Sequence, residues 1–225
     1  MIWKSRRRRQ LQQHNNAYVA GFYQAEPIKR SQRIIETKLV ALDVETTGLS
    51  PLNDRIISVA VVPFSGSIDL QHSRYFMIQQ QLKNSDAVLI HGITDEDMAA
   101  AEDEEVVLEQ VLDVLRNAVM LAHHGDLDWR FLQHRLQLHF QAPLMIQMVD
   151  TMGLEMRRLQ LQQQPIVDGM LTLGACRQRY GLPDFAQHDA RNDALATAEL
   201  FLAQLSRLGG IHKARLKDVG MHWKT

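Results

Sequence analysis

The segment from Lys38 to Glu45, KLVALDVE, constrains the fold more than any other part of this sequence. Apolar residues occupy both of its alternating faces until two acids interrupt the pattern, which is typical of a strand buried in the middle of a sheet. The segments 55–64 and 68–78 predict two further strands that follow it as a meander. A central strand that ends in acids is therefore the expected core of the fold.

Downstream of the meander, helical and strand patterns alternate. Stripes of apolar residues at helical spacing predict helices at 104–116, 126–140, 171–180 and 190–208. Short apolar runs predict strands at 119–122 and 145–149, and 159–168 is expected to be a loop. Asp126 is expected to cap the second helix. Together these elements predict an α/β fold in which a mixed five-stranded sheet is flanked by helices.

The chain length of 225 residues suits one domain with an extension. We expect residues 1–36 to form a basic, Gln-rich N-terminal extension outside the core. Residues 37–208 are expected to form the domain, and residues 209–225 a short C-terminal tail.

Several classes of protein are excluded by composition. Cys176 is the single cysteine, so neither an intramolecular disulfide nor a cysteine-based zinc site can form. No apolar run approaches the roughly 18–20 residues that cross a bilayer. The basic residues 1–9 lack the apolar stretch of a secretory signal. A cytoplasmic location is therefore expected.

The net charge of −1 hides an uneven distribution. Residues 1–38 contain nine Lys and Arg against Glu26 and Glu36, whereas residues 95–109 contain eight acids and no base. A run of four arginines is more often a solvated tail than a binding surface. Two functional hypotheses remain for this segment: an arm that grips a nucleic-acid backbone, or a helix that docks a protein partner.

Two carboxylates share one face of the first predicted strand. Side chains alternate along a strand, so Leu39, Ala41, Asp43 and Glu45 lie on the same side. Neighbouring like charges repel each other, and burial makes each of them costlier. A divalent cation relieves this repulsion, because hard metal ions prefer oxygen ligands.

Two further acids interrupt apolar helical faces. Asp128 shares a helical row with Phe131 and Leu132, and Asp193 shares one with Phe201. An unpaired charge that points inward costs several kcal/mol. Interaction with a helix N-terminus recovers only about 0.3–1 kcal/mol. One metal site shared by all four acids explains the pattern better.

Three histidines lie near these acids. His188 precedes Asp193 by five residues and falls in the loop before the last predicted helix, where its imidazole could reach water. His123 and His124 follow the fourth predicted strand, and we expect them to be structural or to position a substrate rather than to bind metal.

Three segments in this order resemble the motifs of the DEDDh 3′–5′ exonucleases, the family that includes the epsilon proofreading subunit of bacterial DNA polymerase III. They are LDVETTGL at 42–49, HHGDLDWRFL at 123–132 and HDARNDA at 188–194. HGIT at 91–94 and Asp150-Thr151 resemble two more family elements. The family usually has Asn and Phe where this sequence has His124 and Leu127, which affects the expected positioning of the substrate but not the metal ligands.

The resemblance implies an RNase H-like fold and a 3′–5′ exonuclease that releases nucleoside 5′-monophosphates from single-stranded or frayed DNA. It implies two divalent ions, Mg²⁺ or Mn²⁺, held by four carboxylates: Asp43, Glu45, Asp128 and Asp193. His188 would be the general base, since imidazole titrates near neutral pH. The terminal nucleotide would contact Thr46, Leu49, His91 and Ile93.

Two other functions remain open at this stage. The same chemistry could act on RNA 3′ ends, because no residue in the sequence identifies a contact to a 2′-hydroxyl. A non-catalytic module that binds nucleic acid or a protein partner is the second, and loss of nucleotide release in a folded Asp43→Ala variant would exclude it.

Overall fold

A six-stranded mixed sheet organises the residues that the computed structural model describes, which are 2–79 and 99–225, with side chains described from Arg6 onward. The strands are β1 (Leu39–Thr46), β2 (Ile56–Phe64), β3 (Arg74–Met77), β4 (Val119–Ala122), β5 (Ile146–Asp150) and β6 (His222–Lys224). Their order is β3-β2-β1-β4-β5-β6. β1 is antiparallel to β2 and parallel to β4, so the acid-bearing strand lies in the interior of the sheet.

The predicted α/β class is confirmed, but the sheet has six strands instead of the expected five. β6 pairs antiparallel with β5, with Ile146 opposite Lys224 and Met148 opposite His222. The strand is three residues long and exposed along most of its length, so it carries no alternating pattern that would identify it. β6 therefore forms only because the fold brings it beside β5, which is distant from it in sequence.

Seven helices of the described chain flank the sheet. They are α1 (Ile2–Leu11), α2 (Ala17–Gln24), α3 (Glu104–Leu115), α4 (Asp126–Phe140), α5 (Thr151–Leu161), α6 (Leu173–Arg179) and α7 (Ala190–Ser206). Among the described residues, none of these helices combines the length and the apolar character needed to cross a membrane.

Helix α5 occupies a segment whose last residues were expected to be a loop. Its buried stripe consists of Thr151, Glu155 and Leu159, so only one of the three inward residues is apolar and the helical period is hidden. Asp150 caps the helix, because its Oδ1 accepts hydrogen bonds from the backbone N–H groups of Met152 and Gly153.

The expectation that Asp126 caps α4 is wrong. Gly125 occupies the cap position without a side-chain hydrogen bond, and Asp126 is the first helical residue, ion-paired with Lys224 of β6. A side chain at position 125 is sterically excluded, since its Cβ would lie 2.5 Å from Cβ of Ala122. The helix therefore starts directly against the end of β4.

Residues of β1 alternate between two apolar clusters. Val40 and Leu42 join the cluster that packs under α2, α3 and α4. Leu39 and Ala41 join the opposite cluster, which contains Ala194 and other residues of α7. The two acids that continue the second face therefore point toward the side of the sheet that α7 covers.

The expectation that residues 1–36 stay outside the core is wrong for α2. Val19, Phe22 and Tyr23 are buried in the cluster beneath α3, and the Tyr23 hydroxyl donates a hydrogen bond to the Pro143 carbonyl. The final segment also contributes buried side chains, including Met221. The domain limits at residues 36 and 208 stay predictions.

Candidate active site

Three carboxylates converge where β1 ends against α7. Asp43 and Glu45 lie on one face of β1, and Asp193 lies in the first turn of α7. One oxygen from each carboxylate lies within 4.8 Å of the other two. Glu45 is buried, whereas Asp43 and Asp193 are partly exposed, so the cluster is open to a ligand from solvent.

The start of α7 is fixed by a side-chain cap. The carboxylate of Asp189 accepts hydrogen bonds from the backbone N–H groups of Arg191 (2.8 Å) and Asn192 (3.3 Å). This cap sets the first helical turn, which carries Asp193. Fully buried small residues, Ala194 and Ala198, leave room for the helix to approach the sheet.

Asp128 lies beside this cluster on α4 and is only 8% exposed. Its negative charge is among the causes that raise the pKa of Asp43, as is the charge of Asp193. The structure therefore brings all four acids singled out in the sequence close enough to interact electrostatically, although they come from β1, α4 and α7.

Burial followed by mutual repulsion raises the pKa values of the acids. The pKa of Asp43 lies well above its usual range for both reasons. Burial and the charge of Asp193 raise the pKa of Glu45 to about 7. Burial, with the charges of Asp150 and Glu45, raises the pKa of Asp128 to about 8. The ionised cluster is therefore costly without a compensating cation.

The donor set fits a hard divalent cation. Carboxylate oxygens are the ligands that Mg²⁺ and Mn²⁺ prefer, and three of them already lie within reach of one ion. A bound cation would also reverse the repulsion that raises the four pKa values. Chemistry and electrostatics thus agree on the type of ligand.

His188 is exposed and adjacent to the cluster. Its backbone N–H donates a hydrogen bond of 3.0 Å to Oδ2 of Asp193. Its φ of +66° places it in the left-handed region, which costs energy for a residue other than glycine. The loop conformation thus orients Asp193 through the backbone while leaving the imidazole available to solvent.

Arg177 anchors the loop that carries His188, a role that the sequence analysis missed. Its guanidinium donates hydrogen bonds to the carbonyls of Pro183 (3.1 Å) and Ala196 (2.9 Å), and it pairs with Glu199 (2.7 Å). It also lies 4.8 Å from the ring centroid of Phe185. Arg177 is 3% exposed, but an arginine in the last turn of a helix usually faces solvent, so the sequence offered no signal.

The predicted substrate-contacting residues are only partly within the described chain. Thr46 ends β1, where the pairing with β2 shifts register, and its hydroxyl donates to the carbonyl of Gly48. Leu49 follows in the adjacent loop and is 79% exposed. His91 and Ile93, with the rest of the HGIT segment, lie outside the described residues.

The two histidines that follow β4, His123 and His124, contact backbone groups and neighbouring side chains. The ring of His123 has Nδ1 2.9 Å from Oγ1 of Thr151 and Nε2 2.8 Å from the carbonyl of Leu171. Burial lowers its pKa, which favours the neutral ring. The backbone N–H of His124 donates to Oδ1 of Asp150. These contacts tie β4 to β5 and to the start of α5.

Fold and site together define an α/β protein with a candidate divalent-metal centre. A family model described as Exonuclease matches residues 40–201, which is most of the chain, and the chain belongs to this family. The resemblance to DEDD 3′–5′ exonucleases drawn from the motifs is thereby confirmed. Its histidine-containing subclass stays a prediction.

Curated relatives match only through a small part of their own length. The chain is 28% identical over 190 residues to DNA polymerase III PolC-type from Thermotoga maritima, a match that covers 82% of this chain and 13% of the relative. It is 24% identical over 195 residues to the PolC-type polymerase from Mycoplasma genitalium, covering 86% and 12%.

Solved structures agree on the fold. Cell-death related nuclease 4 has a TM-score of 0.62 at 20% identity, covering 78% of this chain and 65% of that one. E. coli exonuclease I in complex with a dT13 oligonucleotide has a TM-score of 0.59 at 19% identity, covering 76% and 41%. The predicted RNase H-like fold is confirmed.

Proposed function

We propose that this chain is a metal-dependent 3′–5′ exonuclease that releases nucleoside 5′-monophosphates from single-stranded or frayed DNA. The observation that carries the proposal is the convergence of Asp43, Glu45 and Asp193 within 4.8 Å, in a chain that belongs to an exonuclease family. The similarity to PolC-type DNA polymerases supports DNA over RNA as the polymer.

Two divalent ions, Mg²⁺ or Mn²⁺, are proposed as the cofactors. Asp43, Glu45 and Asp193 would hold them, with Asp128 as the fourth carboxylate. When bound, such ions stabilise the charge that develops on phosphate oxygens and make a nucleophile available from water. Glu45 and Asp128 are each 8% exposed, so both carboxylates already lie out of bulk water, where a bound cation would offset the cost of their charge.

His188 is the proposed general base of the DEDDh type. Its exposed position next to the carboxylate cluster, and the hydrogen bond from its own backbone to Asp193, support this role. There it can accept the proton of the attacking water, a contribution of about 10²–10⁴-fold in rate.

The proposed site for the terminal nucleotide lies beside the end of β1. Leu49 is 79% exposed in the loop after Thr46, as expected of an apolar side chain that packs on a base. We propose that the terminal nucleotide contacts four residues: Thr46, Leu49, His91 and Ile93.

DNA and RNA single strands labelled at either the 3′ or the 5′ end, incubated with Mn²⁺ or with a chelator, test the proposal. The expected result is early release of 3′ label as a mononucleotide from DNA, abolished by the chelator. Asp43→Asn should raise the activation free energy by several kcal/mol, which lowers the rate of nucleotide release by about three orders of magnitude. Asp113→Asn is the matched control, since Asp113 is an exposed residue away from the cluster that pairs with exposed Arg116.

His188→Asn tests the general base separately, because asparagine tolerates the left-handed conformation and keeps the backbone bond to Asp193. Release of the 5′ label first, or full activity of Asp43→Asn, would contradict the proposal. Faster release of nucleotides from RNA than from DNA would indicate an exoribonuclease instead. Binding without release by the wild-type chain would favour the non-catalytic module.

A further inference from the structure

A groove of about 500 Å³ lies on the molecule away from the carboxylate cluster. It runs between α5 and the C-terminal end of α7, with Tyr180 on its wall. Arg207 lines it directly after α7, whereas Asp193 lies in the first turn of the same helix. At 1.5 Å per residue these positions are about 20 Å apart along the helix axis. The groove is therefore separate from the candidate active site.

The groove is basic. Three arginines line it, at positions 157, 158 and 207, against a single acid, Asp218. Arg158 is bound to Glu155, but within residues 2–79 and 99–225 neither Arg157 nor Arg207 forms an ion pair. Two guanidinium groups are therefore available to an anionic ligand.

The tyrosine on the groove wall is held rigidly. Its hydroxyl donates a hydrogen bond of 2.9 Å to Glu155, which also accepts from Arg158 and Arg179. Burial alone would raise the pKa of Glu155, but these three donors outweigh burial and lower it to about 2. The guanidinium of Arg207 lies 4.7 Å from the Tyr180 ring centroid. The wall is thus organised before any ligand binds.

Apolar side chains complete the groove. Leu161 at the end of α5 is 77% exposed, and Leu208 after α7 is 42% exposed. Leu154 lines the groove between them. Exposed leucines beside arginine and tyrosine match the composition of protein–protein contact surfaces, where Arg and Tyr are enriched.

We propose that this groove docks an acidic segment of a protein partner that also carries an apolar side chain. Carboxylates of the segment pair with Arg157 and Arg207, and its apolar side chain packs on Leu161 and Leu208. A nucleic-acid strand would also pair with the two arginines, but the Tyr180 ring on which a base would stack is already contacted by the guanidinium of Arg207, so the peptide is the better fit.

Fluorescence anisotropy of the full chain tests this docking. The probe is a labelled octapeptide of aspartates with one central Leu-Phe pair, and the comparison peptide has asparagine in place of every aspartate. We expect saturable binding of the acidic peptide only. The double variant Arg157→Glu/Arg207→Glu should weaken it at least about tenfold, the equivalent of 1.4 kcal/mol. DNA cleavage by this variant should be unchanged.

The matched control is Lys29→Glu/Arg30→Glu, which makes the same charge change at two exposed residues outside the groove. Leu161→Ser should also weaken binding, and because Leu161 is 77% exposed this substitution should leave the fold intact. Equal loss in the control variant, binding of the asparagine peptide, or no binding with DNA cleavage intact would overturn the proposal. Displacement of the peptide by single-stranded DNA in chelator, through the same arginines, would assign the groove to nucleic acid and overturn it as well.

Discussion

Four carboxylates repel one another at the end of β1 and in the first turns of α4 and α7. Their pKa values are raised because burial and neighbouring negative charge favour the protonated forms. The folded chain therefore binds more protons than the unfolded chain between about pH 4.5 and pH 8. Stability falls with rising pH wherever the folded state binds more protons. Divalent cations should remove this loss.

This decrease of stability with rising pH can be measured by thermal melting. In chelator, the melting temperature should fall as the pH rises from 5 to 8, and Asp43→Asn should reduce the fall because it removes one of the repelling charges. At pH 8 the variant should melt at least about 2–4 °C higher than the wild type, the shift that 1 kcal/mol produces in a chain of this size. Differential scanning calorimetry measures both.

Manganese provides the complementary measurement. It should raise the melting temperature of the wild type more at pH 8 than at pH 5, because bound ligands must be deprotonated. It should stabilise Asp43→Asn less than the wild type. A melting temperature that is independent of pH in chelator would contradict the repulsion described for the cluster.

Sequence patterns alone predicted that the four acids share one site, because each acid interrupts a simple apolar period. Two-residue alternation sets the facing of Asp43 and Glu45, and helical rows set that of Asp128 and Asp193. Arg177 could not be predicted in this way, because its role depends on carbonyls of Pro183 and Ala196 that only the folded chain brings to it.

At the scale of elements, a buried arginine side chain links the loop between α6 and α7 to both helices. Arg177 joins the end of α6 to this loop and to the second turn of α7 and beyond. The same loop carries His188 and the cap residue Asp189. Its conformation, and with it the orientation of Asp193, is therefore linked to the packing of α6.

We predict that Arg177→Met destabilises the fold. It removes the guanidinium that donates to the Pro183 and Ala196 carbonyls and pairs with Glu199, and a hydrogen bond to a charged group contributes about 1.5–3 kcal/mol. The free energy of unfolding, measured in urea, should fall by about 2–5 kcal/mol. Gln178→Met is the control, because Gln178 is exposed on the same helix. Equal stability of the two variants would contradict the anchoring role.

Elements with strong periods were predicted almost to the residue, and those without were not. β4 and α4 begin and end where the apolar pattern places them. α5 escaped prediction because the charged Glu155 occupies its buried stripe, where it is neutralised by arginines from outside the stripe. β6 escaped because its pairing with β5 is a contact distant in sequence.

At the scale of the whole molecule, the near-zero net charge conceals a basic end. α1 carries four consecutive arginines, of which Arg8 donates a hydrogen bond to the Ala25 carbonyl while Arg6 and Arg9 are exposed. α2 connects this helix to the core through Val19 and Phe22. The arginine run is thus attached to a packed helix, and both hypotheses for it, the nucleic-acid arm and the partner-docking helix, can be tested without unfolding the chain.

The arm hypothesis predicts a change in salt dependence. Replacing Arg6 and Arg9 with Gln should lower the slope of log affinity for single-stranded DNA against log salt by about 1.4, since each phosphate contact contributes about 0.7. A salt titration of binding in chelator measures it. An unchanged slope would rule out the arm and leave docking of a protein partner.

The proposed ligands of the candidate metal centre lie on β1, α4 and α7, far apart in sequence, and only the packing of both helices against the end of β1 unites them. A nascent or partly unfolded chain consequently holds no assembled cation site, so the proposed nuclease activity should be absent until tertiary structure is complete. Under the proposed function, nucleotide release should then report whether α4 and α7 are docked on β1, so that the last stage of folding could be followed by chemistry instead of spectroscopy.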